Sequence, residues 1–135
     1  MMNIYSNYCR GDGAVARMLT IYIEEAHAAD EWRLPESVVE TEMPTVVNVH
    51  QTIGDRVAAA RLLQQRRNVA GMEMVCDSMA GHVVDRYGAW PERLYIIVDG
   101  VVVYKGGMGP FDYRLWEVQE WLAERYGARG ASLRK

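Results

Sequence analysis

Six consecutive residues, Met18-Leu19-Thr20-Ile21-Tyr22-Ile23, are apolar or β-branched without interruption. Such a run reads as a strand buried on both faces, at the centre of a mixed or parallel sheet. It stops abruptly at Glu24-Glu25-Ala26-His27, residues that a buried strand does not choose for packing. Ahead of it, residues 1–16 carry weak helical signals broken by Gly11-Asp12-Gly13. Behind it, residues 28–51 form a long connection with Pro35 and Pro44 and a short extended piece at Thr45 to Val49. Structureless connections of that length are uncommon in compact domains and are often functional.

Thr52 then opens a helix, with Asp55 three residues on as a variant capping box. Ile53, Val57, Ala60 and Leu63 (or Leu62) make its apolar stripe, while Arg56, Arg61, Gln64 and Arg67 are expected to face water. Met72 to Cys76 is a second strand, and Asp77-Ser78 an N-cap for a short helix to Tyr87, with His82 in its middle. Leu94 to Val98 and Val101 to Tyr104 flank Asp99-Gly100, a strong hairpin signal. After a turn built on Gly106, Gly107, Gly109 and Pro110, the stretch from Asp112 to Tyr126 closes the chain as an amphipathic helix carrying Leu115, Val118 and Leu122 on one face. Strands alternating with helices and ending in a hairpin plus helix predict an α/β, thioredoxin-like mixed sheet flanked by helices. That arrangement ordinarily begins with another strand ahead of the first helix. The first strand and the loop after it are expected to be missing here.

A length of 135 residues predicts one domain, assigned to residues 1–127, followed by a flexible basic tail at 128–135. Fifteen basic against 18 acidic side chains give a net charge of −3, which argues against a nucleic-acid partner. No stretch approaches the roughly 20 apolar residues of a membrane span. The two cysteines, Cys9 and Cys76, form neither a disulfide framework nor a C-x-x-C site. A reduced, cytoplasmic protein is the expectation.

The residues able to do chemistry are few. Glu25 and His27 alternate onto one side of an extended segment just past the first strand, where the carboxylate could orient the imidazole and hold it protonated. His27 then reads either as a general acid or as a residue that caps a loop. His50 precedes the Thr52 helix and reads either as a contact to the helix start or as a surface residue. Cys76 behaves as a small hydrophobe in a buried strand, and Cys9 has only Arg10 beside it to activate a thiol. Pro91, just before the third strand, resembles the cis-proline that faces the active site in thioredoxin-like folds. An ordinary trans turn proline is the alternative. Glu25, His27 and His50 lack a convincing set of partners for a metal site.

Several separated motifs, in order, resemble the iodothyronine deiodinase family: Ile21-Tyr22-Ile23-Glu24-Glu25-Ala26-His27 with Asp30 and Trp32; Gly54-Asp55-Arg56-Val57-Ala58-Ala59-Ala60; Tyr87-Gly88-Ala89-Trp90-Pro91-Glu92-Arg93-Leu94-Tyr95; and Tyr104-Lys105-Gly106-Gly107, Gly109-Pro110, Glu117-Val118 and Trp121-Leu122. The resemblance spans roughly Thr20 to Gly127. It implies a thioredoxin-like fold and an oxidoreductase that removes iodide reductively from iodothyronines, using a selenocysteine or cysteine nucleophile. No bound cofactor is implied; a thiol cosubstrate supplies the electrons.

By the same resemblance His27 is similar to the histidine that delivers a proton to the deiodinated carbon or binds substrate. Glu25 would support it, and Tyr22 lies on the same strand end. His50 matches a second functional histidine, and Arg93 a contact to a substrate carboxylate through its bidentate fork. The expected partners are a small halogenated aromatic substrate and a thiol donor, with a homodimer compatible with the family. The nucleophile is expected upstream of the 26 residues that precede His27, so the chain as given is expected to be inactive. Met1-Met2 would then be a start just downstream of a selenocysteine codon. A non-catalytic thioredoxin-like binding module is the alternative.

Overall fold

The computed structural model describes residues 1–33, 35, 46–66 and 71–130; Pro44, Thr45 and Arg67 of the sequence reading lie outside them. The architecture is mixed α/β. In chain order the elements are α1 (Met2–Tyr8), β1 (Leu19–Tyr22), α2 (Ile53–Arg66), β2 (Glu73–Cys76), α3 (His82–Tyr87), β3 (Tyr95–Val98), β4 (Val101–Lys105) and α4 (Leu115–Tyr126). Among the described residues β1 pairs with β2, and β3 with β4, as two two-stranded sheets. The chain groups into two compact units, one made of Met1–Thr20, Gly71–Glu73 and Glu92–Lys135, the other of Ile21–Ala70 and Met74–Pro91.

The first unit is organised by Ile4, Tyr8 and Leu122, all buried, with Val15, Met18, Leu115, Val118 and Trp121 packed around them. α1 and α4 therefore share one core although they lie at opposite ends of the sequence. Tyr8 is fully buried and keeps its hydroxyl satisfied: it donates to the Gly127 carbonyl at 3.3 Å and accepts from the Arg129 N–H at 3.0 Å. Arg129 in turn donates to the Gly13 carbonyl at 2.7 Å. Residues 128–130, expected as part of a flexible tail, are thus held against α1; residues 131–135 lie outside the described chain.

The hairpin forms as its sequence requires. Asp99 and Gly100 take φ of 51° and 79°, the two left-handed positions of a tight primed turn. The register runs Tyr95↔Lys105, Ile96↔Tyr104, then Ile97↔Val102 and Val98↔Val101, so Val103 is an extra, bulged residue. α4 begins at Leu115 rather than Asp112, because the Asp112 carboxylate accepts from the Arg114 side chain at 2.9 Å instead of capping a helix.

In the second unit two expectations fail. β1 is not buried on both faces: it belongs to a two-stranded sheet, and Leu19 at its start is 51 % exposed. The expected stripe of α2 holds only in part: Ala60 is buried and Val57 and Leu62 are half-buried, but Ile53 and Leu63 are exposed, and Arg56 and Ala59 are buried in addition. The cause is that Arg56 finds polar partners inside, described below, and positions 56, 59 and 60 then define one helical face. The capping box does form. The Thr52 hydroxyl accepts from the Asp55 N–H at 3.2 Å, and the Asp55 carboxylate accepts from the Thr52 and Gln51 N–H groups at 2.8 and 3.1 Å. His82 is the first residue of α3, not its middle, and is exposed.

The α1–α4 core carries a prediction. Leu122→Ala should lower the unfolding free energy by about 3 kcal/mol, and Tyr8→Phe by about 1 kcal/mol through its two lost hydrogen bonds. Urea unfolding curves with unchanged slope would measure both.

Candidate functional site

The second unit brings Tyr22, Glu25 and His50 together. Past β1 the chain turns so that the Tyr22 hydroxyl donates to Glu25 Oε2 at 2.6 Å. The segment after the turn is then pinned to residues 47–49: the Ala29 N–H donates to the Val47 carbonyl at 2.8 Å, and the Asp30 carboxylate accepts from the Val49 N–H at 2.8 Å. Ala28 is buried beneath this ladder. These ties bring the 46–50 segment back to the strand end, and the His50 ring comes to rest 5.9 Å from the Tyr22 ring, tilted by 48°.

His50 is only 8 % exposed, and among the described residues neither ring nitrogen has a hydrogen-bond partner. Burial, followed by the nearby Arg56 charge, pushes its pKa down, against weaker upward pulls from Glu25 and Asp55. The ring is therefore neutral at physiological pH, with one N–H donor and one lone pair both unclaimed. It lines a groove of about 310 Å³ with Val47, Val49, Asp55, Ala58 and Leu62. Burial, then the hydrogen bond to Glu25 and that carboxylate's charge, raise the Tyr22 phenol well above the ordinary tyrosine range, so it stays a hydroxyl that donates to Glu25.

His27 is placed differently. Its Nδ1 lies 3.3 Å from the Trp32 carbonyl, and its ring centre lies 4.7 Å from that of Trp32, tilted by 53°. A carbonyl only accepts, so Nδ1 carries the hydrogen and Nε2 is left for other work. The Glu25–His27 pairing expected from alternation is not what the geometry gives: Glu25 is engaged by Tyr22, three residues back across the turn, because the segment does not continue as a strand. Pro91 follows a cis peptide bond, and Arg93, half-buried, belongs to the other compact unit.

Two residues that support the site were not connected with it in the sequence reading. Arg56, expected to face water, is 4 % exposed and donates through Nη1 to the Asp77 and Ser78 carbonyls at 3.1 and 2.6 Å. Asp77, 3 % exposed, accepts from the N–H groups of Ser78, Val83 and Val84 at 2.7, 2.9 and 3.1 Å, capping α3 from outside it. The capping role was legible from Asp77-Ser78; the burial of Arg56 had no signal in periodicity. For Asp77 burial alone would raise the pKa, but the three N–H groups and Arg56 outweigh it and hold the carboxyl below its ordinary range.

Both cysteine thiols are pushed up. Burial raises Cys9, and burial outweighs the pull of Arg56 and Arg61 at Cys76. Neither is poised as a thiolate. Among the described residues no group of three or more His, Cys, Asp or Glu side chains is placed to hold a metal ion, and no helix is long and apolar enough to cross a membrane.

The arrangement defines an α/β protein with a buried hydrogen-bonding corner that lines a groove. The chain belongs to the iodothyronine deiodinase family, whose family model matches residues 3–126. It is 46 % identical over 108 residues to the thyroxine 5-deiodinase of Rattus norvegicus, covering 80 % of this chain and 33 % of that protein. The Homo sapiens thyroxine 5-deiodinase is 45 % identical over 108 residues, with the same 80 % and 33 % coverage. That of Aquarana catesbeiana is 40 % identical over 114 residues, covering 84 % and 39 %. The chain spans about a third of the length of the mammalian relatives.

Asp77 supplies a pH test. Because its folded pKa is depressed, its contribution to stability is full above the ordinary carboxylate range, near pH 4, and is lost as pH falls through the depressed value. Asp77→Ala should cost about 1–2 kcal/mol at neutral pH, as lost helix caps do, and should flatten the acid limb of a plot of unfolding free energy against pH.

Proposed function

We propose that this chain is the substrate-handling part of a thioredoxin-like deiodinase, an oxidoreductase that replaces a carbon–iodine bond of an iodothyronine with carbon–hydrogen at the expense of a thiol cosubstrate. The observation that carries the reading is His50, a buried neutral imidazole with both nitrogens unclaimed, lining a mostly apolar groove. A desolvated, unpaired imidazole is costly for stability alone, and a ligand hydroxyl or amine would satisfy it. Family membership supplies the reaction class.

The reaction balances as aryl iodide plus two thiols giving aryl–H, iodide, a proton and a disulfide. The carbon needs one proton as iodine leaves. In this reading His27, its Nδ1–H held by the Trp32 carbonyl, delivers the proton from Nε2 when the ring has taken one up from a cosubstrate thiol and is an imidazolium. His50 holds a polar group of the substrate, and the Tyr22–Glu25 pair fixes the wall beside it. Cys9 and Cys76, both with raised thiol pKa, are left out of the nucleophile's role. The same raised values favour, as the second reading, a module that binds the substrate without cleaving it.

Two measurements separate the readings: calorimetric titration with an iodothyronine, and iodide release in the presence of dithiothreitol. Binding with release supports the enzyme, and binding without release supports the module. No binding of any iodothyronine sinks both. His50→Ala should weaken binding about tenfold, the worth of one hydrogen bond, with the circular dichroism unchanged. Binding through the neutral ring should hold steady through the ordinary histidine range and fall only at lower pH, where the depressed His50 takes up a proton.

A further inference from the structure

We propose that Arg56 is the positioning residue of this site: by fixing the Asp77 peptide, it holds the strand end that carries Tyr22 and so sets the Tyr22–Glu25 pair against His50. The inference rests on the reading that these three residues form the substrate-handling corner.

The connection runs bond by bond. Arg56 Nη1 donates to the carbonyls of Asp77 and Ser78 at 3.1 and 2.6 Å. The N–H of the same Asp77 donates to the Tyr22 carbonyl at 2.9 Å. Tyr22 is the last residue of β1, and its hydroxyl donates to Glu25. One buried guanidinium is thus two hydrogen bonds from the backbone of the tyrosine whose ring faces His50. A guanidinium suits this task because its planar fork holds two acceptors in fixed directions, which a lysine ammonium does not. Among the described residues its Nε is buried and has no partner, so the side chain is held by this one pair of carbonyls and not by an ion pair of its own.

The charge of Arg56 acts on the same corner. The titratable and charged groups facing His50 are Arg56 and Asp55 from α2, and Glu25 and Tyr22 from the end of β1 and the turn after it. Residues 46–49, which line the groove beside it, carry no charge. Of these groups Arg56 opposes protonation of His50, and Glu25 and Asp55 favour it. Loss of Arg56 removes the charge that opposes the two carboxylates and leaves burial alone against them, so the His50 titration midpoint should rise.

The test is an NMR titration of the His50 imidazole in the wild-type chain, Arg56→Gln and Arg56→Lys, with the Tyr22–His50 ring cross-peaks recorded alongside. The expected result is an upward shift of the midpoint and weakened ring cross-peaks in Arg56→Gln, with Arg56→Lys keeping the midpoint low. An Arg56→Gln protein with the wild-type midpoint and intact cross-peaks overturns the proposal. Should that variant not fold, Arg56→Lys decides: since a lysine keeps the charge but cannot hold both carbonyls, weakened Tyr22–His50 cross-peaks support the role, and cross-peaks of wild-type strength overturn it. These readouts need no substrate, so failure of iodothyronine binding would count against the functional reading alone and leave the Arg56 result standing.

Discussion

A positive charge placed inside the second unit governs the geometry around it. Removing a guanidinium from water is expensive unless its hydrogens find acceptors. Arg56 meets that demand with two main-chain carbonyls on consecutive residues, Asp77 and Ser78. Asp77 then serves three elements at once: its carbonyl accepts from α2, its N–H holds the end of β1, and its carboxylate caps α3. The positive guanidinium favours the charged form of the Asp77 carboxylate. The Tyr22–Glu25–His50 corner stands on that linkage.

Much of this was readable from local chemistry. The Asp99-Gly100 turn, the Thr52–Asp55 capping box and the helix-capping role of Asp77 each depend on residues only a few positions apart, where side-chain type nearly determines the backbone. The grouping of Leu115, Val118 and Leu122 on one helical face was legible from period alone. The failures came where the outcome depends on distant partners. Periodicity assigns Arg56 to water because it cannot know that two carbonyls 21 and 22 residues away will turn toward it. Strand alternation pairs Glu25 with His27 because it cannot see that β1 ends at Tyr22 and that the turn hands Glu25 to the tyrosine instead. The apolar run of β1 suggested two neighbours in a sheet, yet the described strand has one, and Leu19 is left half exposed.

The two histidines show why burial, more than residue type, divides the chemistry of such a corner. His27 and His50 carry the same imidazole, but one is tilted against an exposed tryptophan with Nδ1 fixed by a carbonyl, and the other is desolvated with both nitrogens unclaimed among the described residues. Fixing one nitrogen selects the tautomer and aims the other, which is what directional proton delivery needs. Desolvating the ring does the opposite: it suppresses the charged form and leaves a neutral donor–acceptor pair, which is what recognition of a polar group inside an apolar groove needs. A protonated His50 would be a poor neighbour for Arg56, and a neutral one is compatible with it. The cation beside the buried ring and the carbonyl beside the half-buried one are the surroundings on which the proposed division rests, binding at His50 and proton delivery at His27.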